Sequence, residues 1–382
     1  MFIDPEVALE STEIQQLAEI ALEEFLPRRK YYRDNNLMVK ENIERIYDIG
    51  MLNLMTPIVY GGHGSNLFSN NPSLYLQAIR VIARGCSSTA HSFQVHNHSS
   101  WILAALGNNN QKQRYLHNNS ATLIGTAGSE PDRKEMYKFN TSYTHTDNGV
   151  IVNGVKSYAT NALMPRCIVI FAADPDTQQT QLLIIDTDQD GVVIDDSWYA
   201  PAGMRATRSP LMKFENVFVP NKNILAKPGD YVKTKLQAQF HLGFAANYLG
   251  TVEGMYNWFL QYINDRGKAN DQFIQMRVGE MEMSLNAAQS LFHDAIRSWQ
   301  TKPQEQAEVN SIAAKSFIAK TAMDISQSIV KLAGSHSMFD VNPLSIYLAD
   351  LQTHITHSGH DKAAQIIGQN RLGEKFDTTL QR

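Results

Sequence analysis

The chain is poor in several things that would each settle a class of function. It has 2 cysteines in 382 residues, Cys86 and Cys167, with no Cys-x-x-Cys pair. A disulfide framework is therefore excluded, and both thiols are expected as small core residues of a protein from a reducing compartment, the cytoplasm. No eighteen apolar residues run together, so no membrane span is expected. The first residues, Met1-Phe2-Ile3-Asp4-Pro5-Glu6, are acidic where a secretory signal would be basic and then apolar. There is no surplus of positive charge: the formal net charge is -4, which argues against a nucleic-acid binder. No repeat and no low-complexity linker appears. What remains is ordinary, 43% hydrophobic, and long enough for two or three domains.

Only the stretch from Thr122 to Leu225 alternates like a sheet. Its centre is Ile151-Val152-Asn153-Gly154-Val155-Lys156-Ser157-Tyr158-Ala159-Thr160-Asn161, where Asn153-Gly154 suggests a hairpin turn. Further strands are expected at Cys167–Ala172, Gln181–Ile185 and Met212–Pro220. Helical patterns flank it on both sides. Before it, Thr12-x-x-Gln15 has the spacing of a capping box, followed by Ile14, Leu17, Ala21 and Phe25. Helices are expected at Val39–Tyr47, with Gly50 as its stop, at Pro72–Arg84, and at Ser87–Leu106, which carries His91, His96 and His98. Gly61-Gly62-His63-Gly64 lacks the ending of a phosphate-binding loop and reads as a plain turn. After it, long helices are expected at Tyr231–Ile263, Val278–Gln300 and Ala307–Leu332, the last ended by Gly334, with another starting near Pro343 or Leu344. The expected fold is α+β: an N-terminal helical domain (1–120), a central antiparallel β-barrel (121–226) and a C-terminal four-helix bundle (227–382).

At this point the chain resembles the acyl-CoA dehydrogenase superfamily, over nearly its whole length. Gly125-Thr126-Ala127-Gly128-Ser129-Glu130-Pro131 is similar to the family's Thr-Glu-Pro strand. Val152–Ala162 resembles its Asn-Gly-x-Lys-x-Trp-Ile-Thr-Asn segment. Gly203-Met204-Arg205-Ala206-Thr207-Arg208-Ser209 and Phe214–Pro220 resemble two further motifs, and Leu332–Ser337 sits where the family has a glycine turn. The resemblance implies a flavin, FAD or FMN, between barrel and bundle. Tyr158 would pack on its ring, Thr160 would reach the N5 edge and Ser129 the pyrimidine side. Taken singly, each also has an ordinary reading as a core aromatic, a strand threonine and a turn serine. Arg266, in a shortened form of the element that holds the adenine half of FAD, and Gly334, in the turn that faces a neighbouring subunit, complete the implied cofactor set. A homodimer or homotetramer is implied as well.

The chain departs from the dehydrogenases where they carry their catalytic Glu. The corresponding run is Thr353-His354-Ile355-Thr356-His357-Ser358-Gly359-His360, and alignment gives His357 or Ser358 at that position. The second place for such a base falls near Gln239, Phe240 and His241, and Glu253 lies too far along to substitute. These features resemble a monooxygenase branch that includes dibenzothiophene monooxygenase and the sugar N-oxygenases, which takes reduced flavin from a separate reductase. Imidazoles suit oxygen chemistry because they give and take back a proton near neutral pH. His357, with Ser358 ancillary, and His96 or His98 are thus the expected catalytic residues, acting on a small organic substrate. The alternatives are an acyl-thioester dehydrogenase or oxidase with a non-carboxylate base, and a non-catalytic flavin-fold protein. His354, His357 and His360 lack the carboxylate or Cys partners of a metal site, so no metal is expected. His91, His354 and His360 have an ordinary reading as hydrogen-bonded helix residues.

Overall fold

A computed structural model describes residues 2–117, 119–356 and 360–379. The chain begins with helices α1 (Pro5–Leu9), α2 (Thr12–Ile20), α3 (Leu26–Asn35) and α4 (Lys40–Asp48), with one π turn joining α2 to α3. Helices α5 (Pro72–Gly85), α6 (Ser87–Leu106) and α7 (Asn109–Leu116) follow. Their starts are chemically plain: Pro72 stands in the first turn of α5, and the Asn71 side chain accepts from Leu74 N–H at 3.1 Å. The expected capping box at Thr12 does not form. Ser11 takes the N-cap position without a side-chain bond, and Gln15 instead donates to the Leu9 carbonyl. A true box joins Asn108 and Gln111 at α7.

The sheet holds β1 (Leu123–Ala127), β2 (Ser142–Thr146), β3 (Gly149–Lys156), β4 (Pro165–Ala173), β5 (Thr180–Ile185), β6 (Val192–Asp195), β7 (Leu211–Pro220) and β8 (Ile224–Leu225). Its order is β6-β7-β3-β2-β4-β5-β8, with β1 paired to β4. It is antiparallel except where β1 and one residue of β2 run parallel to β4: the β2–β3 hairpin reverses the chain and the connection from β3 to β4 reverses it again. The hairpin turn lies at Asp147–Asn148. Asn153-Gly154, expected as the turn, is a bulge inside β3, where the register against β7 shifts. Strands β4 and β5 are buried on both faces. Ile168, Ile170, Leu183 and Ile185 face the interior of the β domain. Cys167, Val169, Leu182 and Ile184 meet Ile102, Leu103 and Tyr115 of the helices and Phe240.

The C-terminal part comprises α8 (Asp230–Lys233), α9 (His241–Asp265), α10 (Gln272–Thr301), α11 (Gln304–Ala333), α12 (Leu344–Thr356) and α13 (Asp361–Leu372). The single helix expected over Tyr231–Ile263 is broken: Lys235 sits in the left-handed region, φ +51°, and a 3-10 turn over Leu236–Phe240 leads into α9. The stripe Met281, Leu285, Ala288 and Phe292 of α10 is core, as its spacing suggests. Residues of α5, α9, α10 and α11, among them Ile79, Ile82, Leu249, Val252, Phe292 and Ile325, belong to one apolar cluster that welds the N-terminal helices to the bundle.

Candidate functional site

The end of β3 is fixed by a buried ion pair. Lys156 Nζ lies 2.7 Å from Glu130 Oε1, and that carboxylate also accepts from the Asn140 and Thr141 backbone N–H groups. Ser157 N–H donates to the Ser129 carbonyl, so the strand bearing Ser129 and the segment bearing Tyr158 are tied together. Beyond this clamp Tyr158 takes φ +55° and leaves its side chain 51% exposed, with its ring set edge-on to Trp198 at 5.0 Å. An uncovered aromatic face on a left-handed backbone is what a planar ligand needs. Behind it the buried Thr160 hydroxyl lies 2.8 Å from that of Ser209, which continues to Thr207 and Tyr199. Asn161 ties this segment to α6 and β1, donating to the Ser92 and Ile124 carbonyls, while its Oδ1 has no hydrogen-bond partner among the described residues. The exposed ring, the hydroxyl chain and the orphaned oxygen fit the polar edge and flat face of a flavin.

The Asn161 bond to the Ser92 carbonyl sets this segment beside α6, whose buried side chains pack with those of α9 and α12 in a histidine-rich cluster, the chamber. His91, Gln94 and His98 recur at positions i, i+3 and i+7 of α6 and share a face. His98 stacks on Phe240 with ring centroids 4.0 Å apart. His91 meets His354 of α12 edge-on at 4.8 Å, and His354 in turn lies 5.0 Å from Tyr248 and 5.8 Å from Phe244. Gly243 lets the helices close up, since a Cβ there would come 2.9 Å from His98 Nε2 and 3.2 Å from Gln94 Nε2. Gln94 is fully buried, and neither side-chain atom finds a partner among the described residues. Such orphans are rare in native interiors and mark a place where something else completes the bonding.

Burial sets the charge of this chamber. It pushes His91 down to about 4 and His98 and His241 well below their ordinary value, so the imidazoles are neutral near pH 7. Lys315 of α11, its Nζ 5.6 Å from the Phe244 ring centre, is pushed down to about 7 by burial and titrates in the neutral range. Helix α12, which carries His354, is tied to the loop at Gly203–Met204. Its Thr353 hydroxyl accepts from Gly203 N–H at 3.0 Å and Asp350 Oδ1 from Met204 N–H at 2.6 Å. The loop approaches so closely that a Cβ on Gly203 would sit 1.9 Å from the Ala349 carbonyl oxygen.

The expected site residues divide. Tyr158, Thr160 and Ser129 lie together, and His98 is in the chamber. His96 is not. Its Nε2 lies 3.0 Å from Asn53 Oδ1, and its Nδ1 accepts from Ile124 N–H at 2.9 Å, so both nitrogens brace α6 against β1 and none is left for a ligand. His357 and Ser358 lie outside the described residues. Arg266 and Gly334 are brought together in a different place, where α9 and α11 end: Arg266 Nη2 is 2.7 Å from His336 Nδ1 and its guanidinium lies over Tyr262. Glu253 is locked by both Arg80 and Arg84, with Gln289 donating a further bond, and is held at about 2 against a burial that would raise it. Sequence reasoning underweighted His91 and His354. The available signal was the shared face of His91, Gln94 and His98, which carries three polar groups where an amphipathic helix would show core residues.

The family models for the N-terminal, middle and C-terminal domains of acyl-CoA dehydrogenases match residues 10–120, 125–217 and 242–362. Among similar proteins, the short-chain specific acyl-CoA dehydrogenase of Clostridium acetobutylicum is 24% identical over 94% of this chain and 96% of its own. Dibenzothiophene monooxygenase of Rhodococcus qingshengii is 24% identical over 86% of this chain and 85% of its own. The structure of TdsC from Paenibacillus sp. A11-2 with FMN bound superposes with a TM-score of 0.86 at 18% identity, covering 97% of this chain and 99% of that one. No helix among the described residues is long and apolar enough to cross a membrane. From its order of helices, sheet and bundle and from the three matched domains, the chain belongs to the acyl-CoA dehydrogenase family.

Proposed function

We propose that the protein is a flavin-dependent monooxygenase that uses reduced flavin and O2 on a small organic substrate. The observation that carries this reading is the buried cluster of imidazoles, neutral at His91, His98 and His241, with no unheld buried carboxylate on α9 or α12 among the described residues. The buried carboxylates of α9 and α12, Glu253 and Asp350, are both held by other groups. Reduced flavin, when bound, would supply two electrons to O2, one oxygen atom of which goes to the substrate while the other leaves as water. Tyr158 would hold its ring, Thr160 and Ser129 its polar edges. His91 and His354 would donate N–H bonds toward oxygen and take a proton back, a role also proposed for His357 and Ser358. Phe240, Phe244 and Tyr248 keep water out and suit a flat apolar substrate. The monooxygenase relatives support the same reading.

In this scheme a separate reductase supplies the flavin, FMN or FAD. Arg266 and Gly334 would serve the cofactor of a second subunit in a homodimer or homotetramer. The exposed Met338, Phe339 and Val341 beside them are the apolar surface such a subunit would cover. The two unpaired buried cysteines suit a cytoplasmic protein, and the three-part division at 120/121 and 226/227 frames these assignments.

A second reading, an acyl-thioester dehydrogenase with a non-carboxylate base, is favoured by the Clostridium relative. The two part in one experiment: the protein with a flavin reductase, NADH, FMN or FAD, and 18O2, offered indole, dibenzothiophene or butyryl-CoA. We expect 18O in an aromatic product and a kcat lowered about 10²–10⁴-fold in His354→Ala. An enoyl thioester formed without uptake of 18O would overturn the proposal.

A further inference from the structure

Where α3, the Gly203-Met204-Arg205 loop and α12 meet there is a cavity of about 60 Å³ that the proposed chemistry does not use. Three arginines line it, Arg29, Arg33 and Arg205, with Ser88, Ser345 and Asp350. Arg29 is the telling one. It is 3% exposed, its guanidinium lies 3.7 Å from the centre of the Tyr347 ring, and Nη2 donates to the Pro343 carbonyl at 3.3 Å. Its Nη1 is buried and has no hydrogen-bond partner among the described residues. A buried guanidinium nitrogen left without an acceptor is strongly disfavoured, and Arg29 lines the cavity.

The other charges do not fill it. Arg33 is paired with Asp34 and Asp340 at the surface. Arg205 donates to the neutral Asn36 at 2.8 Å. The one carboxylate in the wall, Asp350, is 5% exposed; its charge answers part of that of Arg29, and its Oδ1 already accepts from Met204 N–H. Positive charge is in excess there, in a space large enough for a few heavy atoms, with two serine hydroxyls beside it.

We infer that this cavity binds a small oxyanion, held by Arg29 and Arg205 with help from Ser88 or Ser345. Arginine forks match two oxygens of such an anion at once. The anion would bridge α3, the 203–205 loop and α12, and so fasten the helix that carries His354.

The test is thermal unfolding of the full chain against inorganic phosphate at constant ionic strength set with sodium chloride, with sodium acetate as a second arm. Tm should rise by a few degrees and saturate, since an anion that binds only the folded state stabilises by mass action. A saturable response to phosphate assigns a tetrahedral inorganic anion, and one to acetate alone assigns a carboxylate; either supports the site. Arg205→Gln, at a half-buried side chain bonded only to Asn36, should leave Tm without added anion nearly unchanged and move the midpoint about tenfold higher or more. Arg29→Met should abolish the response if the variant folds. No saturable response in the natural protein, or the same response in Arg205→Gln, would mean that the cavity holds only water.

Discussion

Glu253 and His241 stand on the same helix, about three turns apart, and both are buried. Around Glu253 every demand is met. Two arginines and a glutamine donate to its carboxylate, and His293 and Gln77 complete the bonding of Arg80. Around His241 burial is handled by neutralisation instead. The imidazoles of His91, His98 and His241 carry no charge, Lys315 is half-way to losing its own, and the Gln94 amide has no partner among the described residues. A satisfied charge cluster is frozen and structural. A neutral one with an orphaned amide, that of Gln94, keeps a donor and an acceptor in reserve for a ligand. The comparison teaches that burial alone does not mark a site in this protein; incomplete hydrogen bonding does.

The widest gap between the two regions should show in stability. Glu253→Ala leaves Arg80 buried without its partner and should cost about 3–5 kcal/mol in urea unfolding. A loss under about 1 kcal/mol would break the distinction. The second contrast is in pH. His91, His98 and His241 each have a folded value below the unfolded one, near 6.5, so the unfolded chain binds more protons between the two. Stability is therefore complete above about 6.5 and is lost as pH falls through the folded value, about 4 for His91, on the order of 3 kcal/mol for that residue alone. Glu253 contributes in the same sense but only lower, between its ordinary range and about 2. Urea midpoints between pH 7 and 4 should fall more gently in His91→Gln; an unchanged slope would remove His91 from the titrating set.

Smaller effects sharpen the functional side. Tyr158→Ala, at an exposed ring, should raise the dissociation constant for FMN or FAD about tenfold while leaving stability within about 0.5 kcal/mol. Fluorescence titration of the flavin would show this. Smallest of all, Gln94→Leu should leave stability unchanged or raise it by up to about 1 kcal/mol, because no bond is lost when an orphaned amide is replaced. A drop of 2 kcal/mol or more would show that the amide is satisfied in solution.

Much of the architecture was legible because it depends on periodicity. Ser87–Leu106 and the stripe Met281, Leu285, Ala288 and Phe292 follow from 3.6-residue spacing, and β4 and β5 from runs that are apolar without interruption. The misses were local contests. Asn153-Gly154 has turn chemistry, but pairing of β3 with both β2 and β7 carries the strand through and leaves a bulge. Thr12 and Gln15 have capping spacing, but Gln15 finds the Leu9 carbonyl instead. Lys235 breaks what the pattern presents as one helix by adopting a left-handed backbone.

The site shows the same division more sharply. Sequence by itself determined the order of helices, sheet and bundle, and by resemblance it suggested a flavin-type segment around Tyr158 and Thr160 and no carboxylate where dehydrogenases keep one, since each is a matter of residue type at a linear position. Only the tertiary structure decided where the histidines go. His96 and His98 are two residues apart, yet one spends both nitrogens on Asn53 and Ile124 while the other stacks in the chamber, and His91 meets His354 across more than two hundred and sixty residues of chain. A helix turns about 200° in two residues, so neighbours in sequence face different partners, and those partners come from elements that no local pattern can bring together.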